Sequence, residues 1–474
     1  MRRFYFSCRL LCRVLILLIF AVPTCESAVL GQANCEISQA TYDSDMQVAN
    51  QHSPHAPAPF GQPETYLARL VLTGLSFATT VVVSRALGPS GRGLFAVAAA
   101  IAAIGIQFGN LGLHASNTYY VAKDAMLLPI LVGNTLIVSF GLGGAATLVG
   151  LVLDGIWPHL FPVHGTLLVL SLGSIPLGLA LMLLQYLLLG INQVHAYNGS
   201  ELASRVLGLA FLGFAIVVGK SSPEVFFAAT LGGLALSFGW VLFKLLRLIH
   251  GKVSFSASVF TRHAELGVKA YLIAFFGFLV LRIDLVMVKY LLGAEAAGYY
   301  SISELLAENT VVPAVVIGTI LFPMLSGMTD SKEKLHLTRK AALVAAAFMA
   351  PLMIIASMLA TAIIPLVFGK SFLPAVGPFI WLMPGSFFLG IETVIVQYLN
   401  SLGFPKIIAY FWLLVTIVNI GINFWAIPAY GISGAAIVST VSYSLIFVLV
   451  LAVVYNAKRS ERTAVSHRVP QYSA

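Results

Sequence analysis

Between Tyr66 and Asn456 the apolar residues fall into repeated blocks of about 20, the length a helix needs to cross a hydrocarbon core of about 30 Å. Only 9% of the 474 residues are charged and 59% are apolar, where an ordinary soluble domain has about 25% charged residues. So few charges cannot cover the surface of a soluble fold, which excludes a soluble enzyme, and the composition also excludes disorder, collagen and coiled coil. The strands of a membrane barrel run about 10 residues and alternate in polarity, and these blocks do neither. The expectation is an all-α polytopic membrane protein of about twelve transmembrane helices, in two pseudo-symmetric six-helix lobes around a central cavity. The candidate spans are 66–86, 94–114, 126–153, 166–190, 203–219, 224–246, 266–292, 297–326, 341–367, 373–399, 406–427 and 431–455.

The N-terminus has a different character. Arg2, Arg3, Arg9 and Arg13 precede a short apolar run, Val14–Val22, and small residues follow near Ser27 and Ala28. That order resembles a secretion signal. Residues 29–65 are polar, with prolines at 54, 57, 59 and 63, and read as disordered. Residues 1–65 are thus either an atypical leader or an over-extended start, with translation beginning at Met46. All four cysteines, Cys8, Cys12, Cys25 and Cys35, lie in this segment, so no disulfide or cysteine metal site can hold the membrane body together.

Basic residues set the expected orientation. Loops after even-numbered spans, with the tail, carry 14 Lys and Arg; loops after odd-numbered spans carry three, Arg92, Lys220 and Lys370. Cytoplasmic loops hold the excess of positive charge, so both ends of the body are expected in the cytoplasm of a multi-pass inner-membrane protein. A cleaved leader would invert this arrangement. The net charge of +9 is then largely a topology signal and implies no nucleic-acid partner.

The body repeats itself. Leu87–Gly88 and Gly93 recur as Leu292–Gly293 and Gly298, displaced by 205 residues, and Tyr66 lies 205 before Tyr271. Gln185–Tyr186–Leu187, Gly190 and Ala196–Tyr197 recur as Gln397–Tyr398–Leu399, Gly403 and Ala409–Tyr410, displaced by 212 to 213. Six spans separate the copies, so they run parallel and are related by an axis along the membrane normal. The expected domains are an N-lobe at 66–246, a basic cytoplasmic linker at 247–265, a C-lobe at 266–455 and a basic tail at 456–474. Secondary transporters use such duplications, rocking two bundles about a site at their interface. A duplicated scaffold or channel is the plainer reading.

Polar residues line single helical faces. Arg69, Thr73, Ser76, Thr80 and Ser84 do so in the first span, Gln107, Asn110, His114 and Asn117 in the second, and Thr416, Asn419 and Asn423 in the eleventh. Polar groups facing lipid are costly, so these faces turn toward protein or a wet cavity. Packed helices account for the Ser and Thr positions; Arg69, Asn110 and His114 are candidates for cavity lining. Ionisable residues within spans cost at least ~2.5–3.5 kcal/mol each near the bilayer centre. They are Lys269, Arg282, Asp284 and Lys289 in the seventh span, Glu304 and Glu308 in the eighth and Glu392 in the tenth. Arg282 and Asp284 stand about 200° apart around a helix, so they need different partners. Arg282 is expected to face the cavity or Glu304 and Glu308; a purely structural ion pair is the alternative. Arg85 and Arg205 are expected to reach the interface by snorkelling.

No sequence motif points to an enzyme. A phosphate-binding GxxxxGK[ST] loop and a GxSxG elbow are both missing, and both chemistries depend on them. His195 and Glu201 have no metal-binding companions. No cofactor and no metal are expected, and the energy would come from an ion gradient, the membrane potential or the substrate gradient.

The runs YLARLVLTGLSFATTVVVSRALGPSGRGLFAVAAAI, FGNLGLHASNTYYVAKD and LVLRIDLVMVKYLLGAEAAGYYSISELLAE resemble the polysaccharide-biosynthesis branch of the multidrug, oligosaccharidyl-lipid and polysaccharide exporter superfamily. O-antigen and exopolysaccharide repeat-unit flippases are most alike, and the resemblance covers Tyr66 to Asn456. It implies two six-helix lobes around a cationic cavity and a cargo of undecaprenyl-diphosphate-linked oligosaccharide, moved across the inner membrane for lipopolysaccharide or exopolysaccharide assembly. It also implies membrane lipids, a polysaccharide polymerase and glycosyltransferases as partners. Under it, Arg69, Asn110, His114 and Arg282 are candidates for substrate binding. Asp284, Glu304, Glu308 and Glu392 are candidates for a coupling-ion site or a structural ion pair. The chain ends after twelve spans, as the drug-exporting branch does. A cation-coupled drug exporter and a non-transporting scaffold are the alternatives.

Overall fold

The structure is a computed structural model that describes residues 63–249, 251–403 and 406–466. The leader-like segment lies outside the described residues, as do the side chains of Arg69 and Lys269. The helices are α1 (Pro63–Asn110), α2 (Leu113–Lys123), α3 (Leu128–Ile156), α4 (Gly165–Gly190), α5 (Val194–Val217) and α6 (Pro223–Leu248). They continue as α7 (Ala257–Val280), α8 (Ile283–Leu292), α9 (Ala294–Ser326), α10 (Ser331–Phe368), α11 (Val376–Asn400) and α12 (Ile407–Ser466). No strand occurs among the described residues.

Among the described residues, ten helical stretches are long and apolar enough to cross a membrane. Two of them are too long for one crossing. The 48 residues of α1 would run ~72 Å and the 60 of α12 ~90 Å at 1.5 Å per residue, against a core of ~30 Å. Each breaks once, at Gly88 (φ 67°) and at Gly431 (φ 63°). With two crossings from each, the ten stretches make twelve. Span seven is divided between α7 and α8, and span two between the end of α1 and α2; both were expected to be continuous.

Helix ends are finished where the chain meets water. Ser222, Ser256 and Asp330 accept hydrogen bonds from the amides of Val225, Val259 and Lys332, meeting donors that the first helical turn leaves open. α5 starts nine residues before its apolar run and α10 ten before, because a helix needs apolar residues only where it passes through hydrocarbon. The outward surface is apolar, as a lipid-facing surface should be: Leu148, Phe214, Met358, Leu366 and Trp425 are all exposed.

α3 packs on α4, α5 on α6, and α9 and α12 on α11. The first six spans meet the last six mainly where α1 lies on α9 and α2 on α7. In hydrocarbon, close approach of backbones takes over from the hydrophobic effect as the force between helices. The α1–α9 contact shows this. A methyl group on Gly93 would run into the carbonyl of Ala294, and one on Gly298 into that of Pro89. In the 205-residue repeat, Ala294 is the counterpart of Pro89 and Gly298 that of Gly93. The loops opened by Gly88 and Gly293 therefore meet each other with roles exchanged, as a pseudo-two-fold axis requires.

Arg85 is exposed at a helix end and meets backbone there. Its Nε donates to the carbonyl of Val367 at 2.8 Å and a terminal nitrogen to that of Leu366 at 2.6 Å. It thereby covers two carbonyls that the end of α10 leaves open, beside the Phe77–Phe368 ring contact, and ties the first half to the second.

Candidate functional site

The break in span seven places the charges. α7 stops at Val280, and Leu281 and Arg282 form a single irregular turn before α8 begins at Ile283. Asp284 then falls in the first turn of α8, where a carboxylate is favoured by the open amides and the helix dipole. Its Oδ1 accepts from the Leu285 amide at 2.8 Å. Its Oδ2 accepts from Tyr300 of α9 and, at 2.7 Å, from Ser439 of α12. Three helices are thus pinned on one buried carboxylate.

Arg282 points the other way. Its two terminal nitrogens donate to the two oxygens of Glu308 at 2.8 and 3.1 Å, the planar two-point geometry that arginine makes best. Glu304 lies 3.6 Å from the same guanidinium, one turn up α9, and the Phe278 ring stands 5.8 Å from it. Glu304 and Glu308 border a recess of about 280 Å³ with Val311, Ser386, Leu389 and Tyr443. A second recess of about 650 Å³ lies between α9, α10 and α11, walled by Leu306, Pro313, Phe348, Leu352, Ile364 and Phe379. α9 therefore separates a charged recess from a hydrocarbon one. Glu392 is buried on α11, one turn beyond Leu389.

The first half holds a neutral polar stripe at the break in span two. Leu111 (φ 48°) and Gly112 (φ 75°) both adopt the left-handed conformation, which for leucine costs about 1–3 kcal/mol. Gly112 lies against the backbone of Gly267 in α7, with no room for a Cβ, and Tyr271 donates to the carbonyls of Gln107 and Phe108 at 3.0 and 2.9 Å. Beside this contact, Gln107, Asn110 and His114 are 3%, 0% and 2% exposed. His114 Nδ1 lies 2.7 Å from Asn110 Oδ1, and its ring meets Tyr186 edge-on. Gln107 Nε2, Asn110 Nδ2 and His114 Nε2 have no hydrogen-bond partner among the described residues. Each such group costs about 1–3 kcal/mol. Asn117, next along the stripe, is met by Thr135 at 3.1 Å.

The candidate residues thus fall in two places. Arg282, Asp284, Glu304 and Glu308 come together; Asn110 and His114 form a second group. Arg69 lies on α1 with its side chain outside the described residues. Sequence reasoning missed Tyr300, Ser439, Tyr443 and Ser386. Ser439 stands 155 residues from the Asp284 it serves, and helical spacing carries no trace of such a pairing. No group of three His, Cys, Asp or Glu able to hold a metal occurs among the described residues.

Known proteins align with this arrangement. Residues 194–377 match the family model of polysaccharide biosynthesis proteins, a stretch holding Arg282, Asp284, Tyr300, Glu304 and Glu308 but not Ser386, Ser439 or Tyr443. An uncharacterized membrane protein of Methanocaldococcus jannaschii is 25% identical over 275 residues, 54% of this chain and 53% of that one. The match thus spans about half the length of that relative. Among solved structures, the lipid II flippase MurJ in an inward closed conformation superposes with a TM-score of 0.66 at 16% identity, covering 82% of this chain and 87% of that one. An inward-facing multidrug resistance MATE family transporter of the MOP superfamily gives 0.69 at 13%, covering 84% and 96%. The chain has the all-α polytopic fold of these transporters, and the family match together with that fold supports its resemblance to the polysaccharide-biosynthesis branch of the exporter superfamily.

Proposed function

We propose that the protein is a flippase that moves polyprenyl-diphosphate-linked oligosaccharide units across the cytoplasmic membrane for surface polysaccharide assembly, by alternating access of lobes 66–246 and 266–455 joined by the linker 247–265. One observation carries this reading. Arg282 is held two-pointed by Glu308 beside a recess that Glu304 and Glu308 border, and a hydrocarbon recess lies across α9. An amphiphile with an anionic head and an isoprenoid tail matches that juxtaposition. A diphosphate offers the guanidinium the same paired oxygens as a carboxylate. Drawing Arg282 away from Glu308 would leave a buried carboxylate unpaired, which is costly unless that carboxylate takes up a proton or a cation at the same step.

Two carboxylates, Glu304 and Glu308, stand against one guanidinium, and a third, Asp284, is buried nearby on other partners. This acidic surplus favours uptake of a proton or a monovalent cation, the more so when an anionic cargo draws Arg282 away from Glu308. The same surplus supports the second reading, a cation-coupled multidrug exporter. The bias of basic residues places both ends of the body in the cytoplasm, and a polymerase and glycosyltransferases would be the neighbours of such a flippase.

The test is reconstitution in vesicles with a labelled polyprenyl-diphosphate oligosaccharide. Wild-type protein should move the label between leaflets. Arg282→Lys, which keeps the charge and loses the planar fork, should be slowed, and Arg282→Ala slowed further at equal protein abundance. Wild-type rates in Arg282→Ala would remove Arg282 from the cargo path. Export of cationic drugs with no glycan movement would establish the second reading instead.

A further inference from the structure

We infer that Gln107, Asn110 and His114 form an occluded site for a neutral, hydroxyl-bearing ligand, the glycan portion of the cargo. This rests on the flippase reading and assigns a different part of the cargo to a different half of the molecule.

The argument starts from one oxygen. Asn110 Oδ1 accepts from the backbone amide of His114 at 3.3 Å, which fixes the orientation of the carboxamide. The same oxygen lies 2.7 Å from His114 Nδ1, so Nδ1 carries the proton. His114 Nε2 is then a bare acceptor, since the hydrogen bond at one ring nitrogen decides the state of the other. Asn110 Nδ2 and Gln107 Nε2 are donors by constitution. All three are buried without a partner among the described residues.

The set therefore presents one acceptor and two donors and carries no formal charge. A diphosphate brings only acceptors and would meet the Nε2 lone pair unfavourably. A cation would meet two donors. A hydroxyl both donates and accepts, and suits all three positions. The stripe extends on both sides of the Leu111–Gly112 break, and neighbouring hydroxyls of a sugar can meet its donors and its acceptor together.

The surroundings explain why the site is shut. The Gly112–Gly267 backbone contact and the Tyr271 bonds to the carbonyls of Gln107 and Phe108 hold α7 against span two at this level. The left-handed Leu111–Gly112 turn lies between Asn110 and His114. Parting α7 from this turn would admit a ligand to the stripe, so recognition of the glycan and separation of the halves are one event.

Bound water offers the same hydroxyl chemistry, and the experiment separates the two sources. The triple variant Gln107→Leu, Asn110→Leu, His114→Phe replaces polar groups by apolar ones of similar shape. In vesicles, two labelled cargoes are compared: polyprenyl diphosphate bearing an oligosaccharide, and bare polyprenyl diphosphate. The expected result is a variant as thermostable as wild type or more so, with glycan-bearing cargo slowed at least tenfold relative to bare cargo. Gln107→Leu alone, which leaves the Asn110–His114 pair intact, should show the same selectivity in smaller measure and serves if the triple variant does not fold. Lower thermostability with both cargoes slowed alike would mean that the groups hold structural water, and would overturn the inference. Wild-type rates for both cargoes would overturn it as well, leaving the flippase reading in place. Wild-type protein that moves neither cargo would overturn the flippase reading and this inference with it.

Discussion

In the second half of the molecule, buried charges are joined to partners on two other helices, α9 and α12: Arg282 to Glu308 and Glu304, and Asp284 to Tyr300 and Ser439. In the first half, Gln107, Asn110 and His114 carry no charge, are equally buried and keep polar atoms unmet among the described residues. The difference follows from cost. An unpaired charge in a membrane is too expensive to keep, whereas an unmet amide or imidazole nitrogen costs only a few kcal/mol. The charged cluster is thus bound up with folding, and the neutral stripe can be held in reserve for a ligand.

The largest break in this contrast should come from Arg282→Ala. It strands Glu308 and Glu304 and should cost about 3–5 kcal/mol, read as a large loss of folded protein in the membrane. Arg282→Met with Glu308→Met and Glu304→Gln should recover abundance without recovering transport. If it recovers both, the pair is structural only. Asp284→Asn comes next. It keeps the shape and removes the charge that Tyr300 and Ser439 donate to, at about 1–3 kcal/mol, seen as a lower melting temperature in detergent. Ser439→Ala removes one donor and leaves Asp284 with the others. About 1 kcal/mol is expected, measured by the same melting curve. Gln107→Leu, which leaves the Asn110–His114 pair intact, should lie at the bottom of the series, neutral or slightly stabilising. A loss as large as that of Asp284→Asn would show that the stripe is bound up with folding after all and erase the contrast.

Much of this was legible in the sequence, and the misses have a common cause. Block length and turn glycines placed the twelve spans, since hydrocarbon thickness is a one-dimensional constraint. The 200° between Arg282 and Asp284 indicated separate partners, but the partners themselves depend on packing between distant helices. The breaks at Leu281–Arg282 and Leu111–Gly112 went unread because apolar residues continue through both, and hydropathy does not register backbone conformation. The partners of Arg85 went unread for a related reason: they are backbone carbonyls at the end of α10, which any sequence would provide. The early starts of α5 and α10 were missed because an apolar run marks the membrane and not the helix.

The meeting of the two glycine loops has an evolutionary consequence. Gly93 touches the duplicate of Pro89, and Pro89 touches the duplicate of Gly93. Reciprocity of this kind is isologous, the contact a two-fold homodimer makes with itself. A six-span ancestor bearing this loop would have had to use one sequence for both sides of the seam. Fusion into a single chain lifts that requirement, and the two sides are free to diverge. Pro89 and Ala294 have done so, while Gly93 and Gly298, which have no space for a side chain on either side of the axis, have remained the same.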